Sequence, residues 1–512
     1  MSLAFSKIGV VGAGAMGRGI VQLFAQAGSS VVLHDTQPAA VQAALAHLKD
    51  TFAKLVEKGK IEADAAAQTL ARVSPGETLA AFDGCDLVIE AIVERLDIKQ
   101  TLFKALEDVL SPDAVIVTNT SSLSVTAIAA ACRHPQRVGG YHFFNPVPLM
   151  RIVEVIGGPR TDPSVLTRLC DLARGAGHTP VVCQDTPGFI VNHAGRAFGP
   201  ESLKALGEGV TGYADIDRIL REHVQIGGQG FKLGPFELLD LTGLDVSHPV
   251  MESIYHQYYE EARYKPSVIG AQRLAAGLLG RKVGEGFYRY SGGAVVADPA
   301  LQEAAAPPVP TGVRAWVARG EHQAAVRSLL EGLGATIDNG AQPSPDSLIV
   351  LTPMGIDATE ASRGLDARRV VALDTLMPFG LRACKRRVIM TTPATEAAWR
   401  DRAHGLFAAD GARVSVLRDS PGFISQRVLA MIVAVGTEIA QQRVAAPADI
   451  DTAVRLGLGY PAGPLTLGDR IGPSRILEIL EGMHKVTADP RYRPSAWLRR
   501  RAQLGLSLLN DD

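Results

Sequence analysis

The sequence predicts an α/β domain built on a doubly wound parallel sheet, then an all-α domain, and then a second half that is a degenerate copy of both. Three observations predict it. Residues 7–35 read as strand, glycine turn, helix, strand and acid. Short apolar runs then alternate with amphipathic segments to about residue 185. Short motifs of the first half also return in the second at a nearly constant spacing. A chain of 512 residues exceeds a single core, so several domains are expected.

Composition narrows the partners. Hydrophobic residues make up 46 % of the chain and charged residues 21 %, as in ordinary globular proteins. With 52 basic and 53 acidic residues the net charge is −1, which favours neither nucleic acid nor a membrane surface. No apolar run reaches the ~18 residues of a membrane span. Cys85, Cys132, Cys170, Cys183 and Cys384 are scattered without paired spacing. They are expected to be buried thiols of a reducing, cytoplasmic compartment, with no metal site. A strand begins within about six residues of the start, which leaves no room for a leader.

The first element is "SKIGVVG", a buried strand that runs into Gly12, Gly14 and Gly17. Apolar residues at Met16, Ile20, Leu23, Phe24 and Ala27 then follow helical spacing, and Gly28 is placed to end the helix. "SSVVLHD" is the second strand and closes on Asp35. Gly12 permits the turn, Gly14 lets backbone approach a pyrophosphate, and Gly17 allows close helix–strand packing. Ala15 and Met16 lie in the same turn. Amides at a helix start bind phosphate. Asp35 suits the two hydroxyls of an adenosine ribose and repels a 2′-phosphate, so the expected cofactor is NAD on a Rossmann-like domain. A glycine turn of pure packing is the plainer reading.

Further strands are expected at "CDLVIEAI", "AVIVTNTS", "RVGGYHFF", "IVEVIG" and "HTPVVCQD". Ligands of such sheets sit at the carboxyl ends of the strands. Those ends deliver Asn119, Ser121 and Ser122, then His142 and Asn145, with Glu154 on the next strand. Oxidation of an alcohol needs a base for the hydroxyl proton, and imidazole suits it. A carboxylate behind the ring would orient it. His142 is equally readable as a satisfied core histidine and Ser121 as a helix cap. Glu154 within an apolar strand requires a partner in either case.

"NTSSLSVT", "HFFNPVPLMRIVEVI", "DTPGFIVN", "GPFELLDLTGLD" and "GRKVGEGFYRY" together resemble the L-3-hydroxyacyl-CoA dehydrogenases, over residues 7 to about 291. The resemblance implies NAD-dependent oxidation of (3S)-3-hydroxyacyl-CoA thioesters. It implies His142 as general base, Glu154 as its orienting partner, and Ser121 and Asn192 at the substrate's reacting oxygens. It also implies Asp35, Glu94, Lys99 and Asn145 as NAD contacts. Thr51 and Lys58 match the family's coenzyme A contacts only loosely, and a solvated helix face is the plainer reading. After "GFIVN" the chain departs from the family pattern with "HAGRAFGPESLKAL", whose Gly195, Gly199 and Pro200 weaken the expected helix.

The second half repeats this order. "DTPGFIVN" at 185–192 returns as "DSPGFISQ" at 419–426, and "ADID" at 214–217 returns at 448–451, both at an offset of 234. Upstream, "VRAWVARG", "SLIVLTP", "RRVVALDTLMP" and "KRRVIMTTP" track strands of the first domain. The chemistry fades: Gln323 stands where Gly17 stood, Asp374 opposite His142, Met377 opposite Asn145, Val388 opposite Glu154 and Gln426 opposite Asn192. The expected division is 1–185 (NAD-binding), 186–291 (helical), 292–311 (linker), 312–418 (degenerate Rossmann-like) and 419–512 (second helical). The two helical domains are expected to pair within the chain, with Val428, Met431, Ile432, Val435 and Ile439 as an apolar face, and a homo-oligomer stays open.

Two-copy chains of this family are associated with short or ω-carboxylated acyl-CoA substrates, 3-hydroxybutyryl-CoA and 3-hydroxyadipyl-CoA among them, in fatty-acid or phenylacetate breakdown. The alternatives are a dehydrogenase of free 3-hydroxy or sugar acids and a non-enzymatic, crystallin-like protein.

Overall fold

A computed structural model describes residues 5–511, so the outermost positions of the first and last expected domains lie outside the described residues. The chain groups into two compact units. One holds the residues up to His193 together with 442–458; the other holds 194–441 and 459–510.

The first unit is built on β1 (Lys7–Val11), β2 (Ser30–His34), β3 (Val73–Pro75), β4 (Leu87–Glu90), β5 (Val115–Thr118), β6 (Val138–Phe143), β7 (Ile152–Gly157) and β8 (Thr179–Gln184). Their order is β3-β2-β1-β4-β5-β6-β7-β8. All pairs are parallel except β6 and β7. The central strands are buried on both faces, which is why they read as continuous apolar runs. Helices α1 (Ala15–Ala27), α2 (Pro38–Glu57) and α3 (Leu96–Glu107) belong to this unit. Gly28 ends α1 in the left-handed conformation, with φ 105°. The alternation of strands and helices does not reveal the β6–β7 reversal, and it places His142 directly across the ladder from Glu154.

The second unit contains a small hairpin, β9 (Tyr290–Ser291) and β10 (Ala294–Val295), and a second sheet. That sheet comprises β11 (Arg314–Val317), β12 (Thr336–Ile337), β13 (Ser347–Leu351), β14 (Val370–Leu373), β15 (Arg386–Thr391) and β16 (Arg413–Leu417), in the order β12-β11-β13-β14-β15-β16. The β14–β15 pair is antiparallel, like β6–β7. A shared anchor fixes the correspondence. Asp185 accepts the amides of Val125 (3.1 Å) and Thr126 (2.7 Å) after β5; Asp419 accepts those of Ala358 (2.8 Å) and Thr359 (3.2 Å) after β13. Thus β13 matches β5, and the second sheet has no counterpart of β3, β4 or α3. In the second sheet β11 pairs directly with β13.

The motif "ADID" has a structural reason. In the first unit the Val182 amide donates to Asp449 (3.1 Å) and the Gln184 amide to the Val444 carbonyl (2.8 Å). In the second unit the Ser415 hydroxyl donates to Asp215 (2.7 Å) and the Arg418 amide to the Val210 carbonyl (3.0 Å). Each copy's helical segment covers the edge strand of the other copy's sheet, where open amides would otherwise invite pairing.

The helix Ile424–Gln441 is buried along nearly its whole circumference, so the single apolar face expected from sequence is corrected to an all-round one. It packs on Pro464–Ile471 and Ala496–Leu504 of its own module and on Phe198–Gly207 of the first. There Arg427 donates to Glu201 (2.8 Å), Glu208 (2.6 Å) and the Tyr492 hydroxyl (3.0 Å). The first module's equivalent is broken into Val191–Ala194 and Phe198–Gly207, as Gly195 and its neighbours lead one to expect. Among the described residues no helix is long and apolar enough to cross a membrane, and no cluster of side chains has metal-ligand geometry.

Candidate active site

The turn between β1 and α1 is built for glycine. Gly12 has φ +108°, and a Cβ there would lie 2.4 Å from the Ala91 carbonyl oxygen. A Cβ on Gly17 would lie 1.8 Å from the Gly12 carbonyl oxygen. A Cβ on Gly14 would meet nothing within 4 Å, so this backbone faces open space at the start of α1, between Ala13 and the N-terminal Ala15 and Met16. No side chain caps that helix start, which leaves its amides available to an anion. A cleft of about 900 Å³ opens beside it, lined by Gly12, Gly14, Asp35, Ile92 and Val93 among others. Asp35 is steadied in the wall by the amides of Ala13 (2.8 Å) and Gln37 (2.9 Å). Open glycine backbone, a helix start and a fixed carboxylate at the end of β2 fit a dinucleotide.

The switch point beside β1 carries a second construction. Glu90, at the end of β4, is fully buried and binds Lys99 (2.6 Å), the Thr118 hydroxyl (2.6 Å) and the Ile92 amide (2.8 Å). Lys99 is 1 % exposed and also reaches Glu94 (3.2 Å). Glu94 in turn accepts the amides of Ser121 (3.1 Å) and Ser122 (3.2 Å) and the Ser122 hydroxyl (2.9 Å). Burial pushes the Glu94 carboxyl up, but Lys99 and the Thr120 and Ser122 hydroxyls outweigh it and hold it below its usual range. The amine of Lys99 therefore sits inside this cluster, tying Glu94 to the serine loop.

The third construction lies at the ends of β5, β6 and β7. His142 Nδ1 is 2.6 Å from Glu154 Oε2, with both residues buried. The carboxylate's other oxygen accepts the amides of Ile190 (2.9 Å) and Val191 (2.8 Å). A carboxylate acceptor at Nδ1 assigns the proton there, which leaves the Nε2 lone pair for proton abstraction. The ring lies 4.5 Å from that of Phe144 and 5.9 Å from that of Phe189. Asn192 Nδ2 donates to the Ser121 carbonyl at 3.4 Å, and Asn119 accepts the Phe143 amide at 2.8 Å. His142 and Glu154 thus form one bonded pair and Ser121 and Asn192 another, the two joined through the chain at Val191–Asn192. Asn145 is exposed in the loop after β6. Thr51 donates its hydroxyl to the His47 carbonyl of its own helix, and Lys58 is exposed just past α2.

Sequence reasoning missed Glu90 and Asp185. Glu90 carried the same signal as Glu154, an acid inside the apolar strand "LVIE". Asp185 stood in plain view in the repeated "DTPGF" and "DSPGF".

A glycine cradle with a carboxylate fixed at the end of β2, beside a histidine–carboxylate pair at the strand ends, fits a nicotinamide-dependent dehydrogenase. The model of the 3-hydroxyacyl-CoA dehydrogenase NAD-binding domain matches residues 7–186, and that of the C-terminal domain matches 188–290 and again 422–507. The chain is 35 % identical over 506 residues to the 3-hydroxyadipyl-CoA dehydrogenase of Escherichia coli K12, covering 98 % of this chain and 99 % of that one. The crystal structure of 3-hydroxybutyryl-CoA dehydrogenase from Escherichia coli K12 superposes with a TM-score of 0.84 at 34 % identity, over 98 % of both chains. A probable 3-hydroxybutyryl-CoA dehydrogenase of Deinococcus radiodurans is 40 % identical over its whole length, which spans 56 % of this chain. The chain belongs to the 3-hydroxyacyl-CoA dehydrogenase family. It is an NAD-dependent enzyme that oxidises 3-hydroxyacyl-CoA, and its second helical domain repeats the first.

Proposed function

We propose that His142 is the general base of this oxidation and Glu154 the group that orients it. The observation that carries the reading is the 2.6 Å contact between them, closed from behind by the Ile190 and Val191 amides. NAD, when bound, supplies the acceptor for the hydride that leaves C3. As the hydride leaves, His142 Nε2 takes the C3 hydroxyl proton, and the buried Glu154 carboxylate stabilises the imidazolium. Ser121 and Asn192 hold the reacting oxygen. Gly12, Gly14, Ala15, Met16 and Gly17 would hold the cofactor's pyrophosphate, Asp35 would hold its adenosine ribose, and Asn145 would be a further NAD contact. Glu94 would be a further NAD contact, and Lys99, expected as one too, is buried behind it and would act by holding it.

The substrate class follows from the relatives' activities. A short acyl-CoA, with or without a terminal carboxylate, is the proposed substrate, in fatty-acid or phenylacetate catabolism. Thr51 and Lys58 are the proposed contacts to coenzyme A. The described cysteines are free thiols, with Cys85, Cys170 and Cys183 buried as expected and Cys132 and Cys384 only half-buried, and a reducing, cytoplasmic setting is proposed for them. The second half stands in for a partner subunit, with its helical domain paired to the first inside one chain. Initial rates with NAD across acyl-CoAs of graded length and terminal charge test the substrate, and free 3-hydroxy acids are the control. His142→Ala tests the base: turnover should fall by ~10²–10⁴-fold with NAD affinity kept. Near-full turnover in that variant would remove His142 from the role.

A further inference from the structure

The second half of the chain has lost the dinucleotide turn and the histidine–carboxylate pair, yet one of its helices belongs to the first unit. That helix, Pro447–Gly457, is fixed near its start by the Val182–Asp449 bond, and the loop before it by the Gln184–Val444 bond. Its last residue, Gly457, lies against Val191. A Cβ on Gly457 would sit 2.9 Å from both Val191 methyls, closer than real Cβ contacts allow. The Val191 amide donates to Glu154, and Glu154 holds His142. A continuous line of contact therefore runs from Gly457 through Val191 and Glu154 to His142.

The internal repeat shows what the same position does when it carries a side chain. At the offset of 234, Gly457 corresponds to His223, Val191 to Ser425, and His142 to Asp374 by the alignment of the second strand pair. In the second unit the fully buried His223 reaches Asp374 at 3.3 Å, and the Ser425 hydroxyl donates to the same carboxylate. His223 Nδ1 is closed by the Arg386 carbonyl at 3.0 Å. One helical module thus sends a ring into the heart of the degenerate site. The other presents bare backbone to the intact one.

From this we infer that the second copy is a working part of the catalytic site, with Gly457 as a positioning residue that sets Val191 and, through it, the Glu154–His142 pair. The inference rests on the proposed role of His142 and Glu154. A methyl at Gly457 forces Val191 to move by several tenths of an ångström. Its amide then leaves the geometry that aims the Glu154 carboxylate at Nδ1. Sub-ångström to 1 Å misplacements of catalytic groups cost on the order of 10- to 100-fold. A purely structural role predicts the opposite sign, since alanine is the better helix former.

The test uses the full-length chain with Gly457→Ala, Val191→Ala and the double variant. Expected is a fall in kcat of about 10- to 100-fold for Gly457→Ala, with the NADH dissociation constant by fluorescence titration within about twofold of wild type. The double variant, which removes the two methyls that the new Cβ would strike, should recover most of that loss. Wild-type kcat in Gly457→Ala overturns the inference. So does a loss that Val191→Ala fails to relieve, or a loss of turnover that tracks lost NADH binding. Should His142→Ala stay active, the reading beneath it has failed instead, and the two failures are told apart by that single variant.

Discussion

Replacing Glu154 by glutamine keeps the shape of the site and reverses one hydrogen bond. Glu154 Oε1 already accepts two amides, from Ile190 at 2.9 Å and Val191 at 2.8 Å. A glutamine must place its carbonyl oxygen there, because its NH₂ would face two donors. The NH₂ group is then left opposite His142 Nδ1, 2.6 Å away in the wild type. Two donors cannot share that contact, so the imidazole proton moves to Nε2, and the atom that should take the substrate proton is already protonated. In triads wired this way the wrong tautomer costs about 10⁴-fold in kcat, and loss of a general base ~10²–10⁴-fold. We expect a fall of about 10³–10⁴-fold, or roughly 4–5.5 kcal/mol of transition-state stabilisation. Both backbone bonds survive, so the fold should hold and Tm should stay within a few degrees. Steady-state kcat, with NADH affinity measured in parallel, decides it. A Glu154→Gln enzyme within tenfold of wild type, or one that loses NADH binding along with turnover, would refute the tautomer argument.

Three further outcomes are expected. Asp35→Ala should raise the KM for NAD by about 10- to 100-fold, the scale of hydrogen bonds to a charged group, and narrow its preference over NADP; a wild type that uses NADP equally well contradicts the assignment of Asp35. Lys99→Met should shift the acid limb of thermal stability to higher pH, seen in melting curves between pH 3 and 6. The depressed Glu94 carboxyl contributes stability that is present above its ordinary value and is lost as pH falls through the depressed one, so raising it moves that loss upward; an unmoved limb rules out the Lys99 coupling. A fragment ending at residue 295 lacks the Val444 and Asp449 contacts to the β8 edge, and should dimerise or aggregate in light scattering; a monodisperse monomer as stable as the parent would show that nothing needed was removed.

Much of the site was legible because its chemistry leaves marks that packing alone does not. Three glycines in the turn, an acid at a strand end and a carboxylate inside "IVEVI" each violate what a plain core would choose, and a violation is readable from one sequence. Lys99 was harder. The family resemblance implies a cofactor contact there, but whether an amine faces a cleft or a buried acid depends on Glu90, nine residues earlier at the end of β4. The reversal of β6 and β7 was equally hidden, since a parallel and an antiparallel neighbour present the same run of buried apolar residues. The contact of Gly457 with Val191 leaves no mark in the sequence at all. A glycine at the end of a helix reads as a terminator, and only the exchange of helical segments between the copies brings it to the site.

The same exchange explains why the second copy kept its fold after losing its chemistry. The glycine turn alone did not decide the loss. The second sheet has no counterpart of β4, so β11 pairs straight with β13, and the order β12-β11-β13 still reverses beside β11. Ligands of open α/β sheets bind at such a reversal, and what the second copy lacks there is the three-glycine turn and the residues that match Glu90, Glu94 and Lys99. The edge has been retained. Asp449 and Val444 still close β8, and Asp215 and Val210 close β16 in the same way, so each sheet depends on the other copy's helical segment for its last row of backbone bonds. Losing the second copy would open a strand edge on the catalytic sheet, whereas losing its cofactor site opens nothing. Selection for a covered edge, a supported Val191 and a filled helical interface constrains the outer face and the helices of the second copy, and leaves the residues of its crevice free to change.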